Sequence, residues 1–177
     1  MADESLARKI EQVRLLILDV DGVLTDGKII IDDAGREIKH FDVKDGHGLK
    51  ILLRCGIDVV LLTGRRSSVV LHRARDLGIE EVHQGVFNKC EVLDEILRKR
   101  NLQDIHAAFV GDDVVDIPLL RKVGFSVAVA DASEDVKAVV DYITTKGGGR
   151  GAVREVCEII LKGQGKWEDV ARRYEFI

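Results

Sequence analysis

The 177-residue chain is long enough to bury one sizeable core and too short for two typical domains. Its 46% hydrophobic and 33% charged content is that of an ordinary globular protein, and a net charge of −4 gives no general attraction for nucleic acid or an anionic membrane. No run approaches the roughly 18 consecutive apolar residues of a membrane span, and Cys55, Cys90 and Cys157, widely spaced with no C-x-x-C, suggest neither a disulfide framework nor a zinc site.

The cysteines read as buried thiols of a cytoplasmic protein, and the charged stretch Met1 to Gln12 carries no export signal. Residues 5–12 fit a short helix. Leu15-Leu16-Ile17-Leu18 is an unbroken apolar run, the signature of a strand covered on both faces in a parallel sheet. Asp19 and Asp21 follow where that strand should end. Extended chain of period two aims both the same way, and such a repulsive pair calls for a cation between them. A turn cap would need only one of them.

Residues 28–32 and 36–41 flank Asp33-Ala34-Gly35 and read as a β-hairpin, an insertion of about 27–41. An isolated hairpin is marginal in water, so this one is expected to pack against another subunit. Asp42 through Gly48 read as a polar, glycine-containing loop, and Leu49, Leu52 and Leu53 as a helix that stops at Cys55-Gly56. A strand over 57–62 ends in Thr63-Gly64-Arg65, and a helix over 67–77 ends at Gly78. A short strand near 81–83 precedes Lys89, which opens a long amphipathic helix to about Arg100. The strand 106–110 leads to Gly111-Asp112-Asp113-x-x-Asp116, the strand 125–129 to Ala130-Asp131-Ala132, then come a short helix and Tyr142-Ile143-Thr144. Gly147 to Gly151 precede a helix at about 152–162 and a tail with Trp167 and Tyr174, the C-terminal helix and tail spanning about 147–177.

Strand–helix alternation at this spacing predicts an α/β fold, a Rossmann-like doubly wound parallel sheet, in one domain over 1–177. Polar clusters follow four strands: Asp19/Asp21, Thr63-Gly64-Arg65, Lys89 and Asp112-Asp113-x-x-Asp116. In such a sheet the strand ends converge on one edge. Alone, Thr63 is an ordinary helix cap and Lys89 a helix-start lysine; Asp113 is a cap or outer-shell residue. The five histidines share no i,i+4 metal spacing and read as surface or packing residues. Together, four or five carboxylates need a cation, and all-oxygen ligation suits octahedral Mg²⁺ with retained waters. The set then holds what attack on a phosphate ester demands: a carboxylate nucleophile, cationic neutralisation, and a hydroxyl for a phosphoryl oxygen.

The strings DVDG, TGR, a lone lysine opening a helix, and GDDxxD resemble, in order and wording, the four motifs of the haloacid dehalogenase superfamily. The resemblance implies Asp19 as a nucleophile forming an aspartyl-phosphate and Asp21 as the acid that protonates the leaving alkoxide and then activates water. It implies Mg²⁺ on Asp19, the backbone carbonyl of Asp21 and Asp112, with Thr63 and Lys89 orienting the phosphate and Asp116 supporting Lys89 or the metal shell. No comparable insertion follows Thr63, so no cap domain fits.

The hairpin, Phe41 to Gly48, Gln84-Gly85, Val127 to Ala132 and Gly148 to Glu155 further resemble the 3-deoxy-D-manno-octulosonate 8-phosphate (Kdo 8-phosphate) phosphatase family over about residues 14–165. That family is cytoplasmic, tetrameric through its hairpins, and serves lipopolysaccharide precursor synthesis. By motif position, Asp21, Asp42, Val43, Lys44, Asp45, Gly46, Lys50, Gly64, Arg65, Arg73 and Lys89 contact a small phosphorylated sugar acid. Lys50 stands where the family has arginine. Arg65 suits a carboxylate bidentately; a sister branch acting on nine-carbon 2-keto sugar acid 9-phosphates carries glutamate there, so Arg65 favours the eight-carbon acid. The glycine-rich segment is a flexible linker by composition or a mobile lid whose Arg150 reaches an adjacent protomer. A non-catalytic regulatory module is the reading from another class, against which the intact Asp19, Asp21, Lys89 and Asp112 stand.

Overall fold

Helix α1 (Ala2–Gln12) leads into β1 (Leu15–Leu18), whose four side chains are fully buried, as an apolar run requires when both sheet faces are covered. The hairpin strands β2 (Ile30–Ile31) and β3 (Glu37–Ile38) come next, then α2 (Val43–Arg54), β4 (Asp58–Thr63), α3 (Ser68–Leu77), β5 (Glu81–Gln84) and α4 (Lys89–Arg100). The second half runs β6 (Ala107–Gly111), α5 (Ile117–Leu120), β7 (Phe125–Ala128), α6 (Glu134–Lys137), β8 (Tyr142–Ile143), α7 (Ala152–Gly163) and α8 (Trp167–Arg173). This computed structural model describes residues 2–176; Met1 and Ile177, the ends of the expected 1–177 domain, lie outside the described residues.

Six strands pair in the order β5-β4-β1-β6-β7-β8, every neighbour parallel, with Leu18 opposite Leu61 of β4 and Val110 of β6. Chain connections from β1 and β4 step toward the β5 edge, whereas those from β5, β6 and β7 step the other way. Right-handed crossovers therefore put α2 and α3 on one face and α4 and α5 on the other. The packing agrees: α2 lies against α3 and α7, and α4 against α5. The winding reverses between β1 and β6, so a crevice opens at their carboxyl ends, which carry Asp19 and Asp112. The doubly wound parallel sheet is as the sequence predicts. Between Asp21 and Thr63 the chain holds only the hairpin, α2 and β4, and no cap domain.

Several local expectations are corrected. Residues 42–48 are not a loop: α2 begins at Val43, with Asp42 capping it by accepting from the backbone N–H of Lys44 (2.6 Å) and Asp45 (3.1 Å). Two interior glycines cost the helix about 1 kcal/mol each, yet they are there for packing. A Cβ on Gly46 would sit 2.2 Å from an Arg73 guanidinium nitrogen, and one on Gly48 would sit 3.2 Å from the Cα of Arg154 in α7. The hairpin's ladder is also shorter than read, because its two strands have only each other to pair with. Its turn is held by Asp32, whose carboxylate accepts from the N–H of Ala34 and Arg36.

The glycine-rich segment packs against the turn after β1. Gly149 N–H donates to Val23 O at 2.9 Å, Gly148 N–H donates to Asp131 at 2.8 Å, and Gly148 is buried against the turn after β1. In the tail, α8 packs on α7, with the ammonium of Lys162 4.9 Å from the Trp167 ring centroid. The Tyr174 hydroxyl accepts from Arg54 at 2.9 Å. Among the described residues no helix is long and apolar enough to cross a membrane.

Candidate active site

Asp19 continues the β1 ladder for one more bond, its N–H donating to Val110 O at 3.2 Å, and its buried carboxylate lies at the crevice. Lys89, the first residue of α4 after the Asn88 cap, places its ammonium 3.1 Å from Asp19 Oδ2 and 2.6 Å from Asp116 Oδ1. Asp116 is wholly buried; its Oδ2 accepts from the N–H of Asp112 at 3.1 Å. One carboxylate thus fixes both the lysine and the loop after β6. Asp113 caps the short turn that follows by accepting from Val114 N–H. Thr63 is buried at the end of β4, where its hydroxyl accepts from Arg65 N–H at 3.4 Å.

Burial pushes Asp19 up to about 6, against the pull of Lys89. Asp112 is pushed up to about 7 by burial and then by the charges of Asp19, Asp116 and Asp113. Burial would lower Lys89, but Asp19 and Asp116 outweigh it and hold it above the ordinary lysine range. One oxygen each from Asp19, Asp112 and Asp116 lie within 4.8 Å of one another. Asp112 Oδ1 is buried with no hydrogen-bond partner, an arrangement that costs free energy unless something positive meets it. Asp116 already has Lys89 on one oxygen and a backbone N–H on the other. The donor set of Asp19 and Asp112 therefore fits a hard divalent cation, with Asp116 behind them.

The carboxylates of the two motif aspartates meet different side-chain cations, Asp19 that of Lys89 and Asp21 those of Lys39 and Arg65. β1 ends at Leu18, so Asp21 lies in a turn beyond the strand and the period-two argument does not reach it. That turn is pinned by Thr25, whose hydroxyl accepts from Gly22 N–H and Gly27 N–H. Asp21 has its own cations: Lys39 Nζ donates to its Oδ1, and Arg65 Nε lies 3.7 Å from its Oδ2. Both cations also meet Glu37 of the hairpin, at 3.2 Å from Lys39 and 2.8 Å from Arg65. Ser67 Oγ donates to the other Glu37 oxygen at 2.5 Å, and Gln84 accepts from Ser67 N–H. Lys39, Glu37, Ser67 and Thr25 were absent from the sequence-based site. Strand alternation does put Glu37 and Lys39 on one face, and that was the available signal.

The remaining expected substrate residues form a second group. Val43, Lys44, Gly46, Lys50 and Arg73 line one open groove of about 460 Å³ beside the start of α2. The Arg73 guanidinium donates to Asp42 O at 3.4 Å and lies 5.6 Å from the Phe41 ring centroid. Asp45 points elsewhere: its carboxylate is 1% exposed and accepts from Gly151 N–H (3.2 Å) and Arg154 N–H (2.7 Å), capping α7. Burial pushes it up to about 6 despite those two bonds. Gly64 and Arg150 are exposed, Arg150 on the segment packed over the Gly22–Asp26 turn.

A family model for haloacid dehalogenase-like hydrolases matches residues 77–155. Over 161 residues the chain is 47% identical to the Kdo 8-phosphate phosphatase of Escherichia coli K12, covering 91% of this chain and 86% of that one. The chain belongs to the Kdo 8-phosphate phosphatase family. Within that family, the solved structure of the Moraxella catarrhalis phosphatase with magnesium, phosphate and Kdo is 42% identical and superposes with a TM-score of 0.94, covering 97% of this chain and 98% of that one. The cobalt-bound phosphatase of Haemophilus influenzae is 41% identical with a TM-score of 0.86, over 89% and 92% of the two chains.

Proposed function

We propose that this chain is a single-domain, Mg²⁺-dependent phosphatase that hydrolyses Kdo 8-phosphate to Kdo and phosphate, in lipopolysaccharide precursor synthesis in the cytoplasm. The observation that carries the reading is the crevice pair: Asp19 with its own ammonium, facing Asp112 with an unpartnered oxygen. The relatives' named activity and the magnesium in the Moraxella structure support it.

Mg²⁺, held by Asp19, the Asp21 carbonyl and Asp112, supplies positive charge that offsets the repulsion between carboxylate and phosphate. An Asp19 oxygen attacks phosphorus, the bond from phosphorus to the sugar oxygen breaks, and the Asp21 carboxyl gives its proton to that oxygen. A water oxygen then attacks the aspartyl-phosphate, its proton passes to Asp21, and the acyl–phosphate bond breaks to restore Asp19. The balance is one water consumed per ester cleaved. Lys89, immobilised by Asp116, steadies the Asp19 anion, and Thr63 offers a hydroxyl to a phosphoryl oxygen.

Arg65 is proposed to receive the sugar carboxylate, with Asp42, Val43, Lys44, Gly46, Lys50, Gly64 and Arg73 as further contacts; Asp45 has only its backbone free for one. Exposed Ile29, Ile31 and Ile38 on the hairpin favour a homotetramer assembled through it, and in that assembly Arg150 is proposed to reach a neighbouring site. The test is phosphate release from Kdo 8-phosphate, nine-carbon acid 9-phosphates and simple sugar phosphates, with and without Mg²⁺. Kdo 8-phosphate should be preferred, and Asp19→Asn should lose at least about a thousandfold in kcat. Release that ignores Mg²⁺ or survives in Asp19→Asn overturns the mechanism; a nine-carbon preference changes the substrate alone.

A further inference from the structure

The hairpin between Gly27 and Phe41 carries a lysine that the chemistry above does not use. Lys39 lies just past β3, its side chain is 1% exposed, and its ammonium meets Asp21 Oδ1 and Glu37 Oε1. Burying an ammonium is expensive unless it is paired, so this position is built around its two carboxylates. Asp21 is gripped from two sides, by Lys39 on Oδ1 and Arg65 on Oδ2, and Glu37 orients both cations. The hairpin's own ladder is two residues long on each side, too short to hold itself rigid. Its fixed place over the crevice comes from this charge network and the Ser67 bond to Glu37.

We infer that Lys39 is a positioning residue for the reaction: it holds the Asp21 carboxyl in the orientation from which a proton reaches the leaving oxygen, and it ties that orientation to the docking of the hairpin. The inference rests on the proposed role of Asp21. Asp19 takes its ammonium from Lys89 and Asp21 takes its own from Lys39, so the two carboxylates are set independently. Lys39 is buried behind Asp21 and reaches neither the substrate nor phosphorus; it acts only through the Asp21 carboxyl that it bonds.

The consequence depends on the leaving group. An alkyl phosphate expels an alkoxide that needs a proton, whereas p-nitrophenyl phosphate expels a phenolate that does not. The ratio kcat/KM reports the steps up to departure of the leaving group, which isolates this difference from the later hydrolysis of the aspartyl-phosphate. Lys39→Met keeps the side-chain length and removes the charge. It should lower kcat/KM for the sugar phosphate that the wild type turns over fastest by about 30-fold, within the range of general acid catalysis. The value for p-nitrophenyl phosphate should fall by less than about threefold, and Lys39→Arg should recover most of the sugar phosphate rate.

A loss at least about tenfold larger on the sugar phosphate supports the inference; any smaller difference, including an equal loss on both, makes Lys39 a structural ion pair and overturns it. Should Lys39→Met not melt as a folded protein, Lys39→Gln carries the same comparison. The wild-type substrate panel, read first, shows separately whether the Kdo 8-phosphate assignment itself fails.

Discussion

Two glycines bring together the turn after β1 and its neighbours, because backbone and carboxylate approach there more closely than any Cβ would permit. A Cβ on Gly22, where φ is +91°, would lie 2.0 Å from Asp112 Oδ2, and one on Gly148 would lie 1.8 Å from Gly22 O. Gly148→Ala must displace the turn that carries Asp21. A misplacement of about 1 Å costs on the order of a hundredfold, so kcat should fall by at least that much, with a lowered melting temperature. Gly35→Ala at the hairpin tip meets nothing within 4 Å and should cost only about 1 kcal/mol for its positive φ, leaving kcat near wild type. Equal activity in both variants would show that the close approach is irrelevant to the turn. At this scale Asp19, Asp21, Lys89 and Asp112 were legible because each follows a strand and belongs to a residue type that chemistry requires there. Lys39 and Thr25 were not, since a salt bridge across 18 residues depends on how the hairpin folds back.

Between elements, local propensity and tertiary packing disagree in two places, and packing wins in both. Gly46 and Gly48 read as a loop, yet the Asp42 cap and the close approach to Arg73 and α7 make them the first turns of α2. Gly147 to Gly151 read as flexible, yet they are the sequence's way of bringing a backbone against another backbone. The sheet itself was legible, because buried parallel strands announce themselves as apolar runs with helices between them. The hairpin is the reverse case: its apolar residues were correctly picked out, but a single chain shows them facing outward. Ile29 is 57%, Ile31 60% and Ile38 47% exposed. Replacing all three by threonine keeps β-propensity while removing apolar surface. The proposed tetramer, if it assembles through the hairpin, should dissociate at micromolar concentration in sedimentation velocity while the melting curve stays cooperative. A tetramer that persists unchanged places the interface elsewhere.

For the whole molecule, three raised carboxyls are a stability liability, and the two at the crevice are ones a bound cation would offset. Asp19 at about 6, Asp45 at about 6 and Asp112 at about 7 all lie above their ordinary value of 3.8. Between about pH 5.5 and 7, above the range of the lowered carboxyls, these three groups keep protons in the folded protein that they release in the unfolded chain, against the opposing His47, which burial lowers. With more protons bound in the native state, stability falls as pH rises through that window. The metal-free protein should melt lower at pH 7.5 than at pH 5.5. Mg²⁺ on the proposed ligands Asp19 and Asp112 needs both deprotonated, so its stabilisation should have the opposite slope. At about a hundred times its dissociation constant it adds about 2.7 kcal/mol at pH 7.5, or roughly 5–10 °C for a chain of this size, and much less at pH 5.5. Asp112→Asn removes one charge from the cluster. Without metal at pH 7.5 it should melt about 2–4 °C above wild type, a modest gain because Asp112 is partly solvated, and its Mg²⁺ shift should be largely lost. A variant that is less stable than wild type without metal, or that keeps the full Mg²⁺ shift, would show that Asp112 serves the fold rather than the ion. The opposite slopes share a cause in Asp19 and Asp112: the two raised carboxyls of the crevice are the ones proposed to hold the cation, so the site favours the loaded enzyme at the expense of the free one.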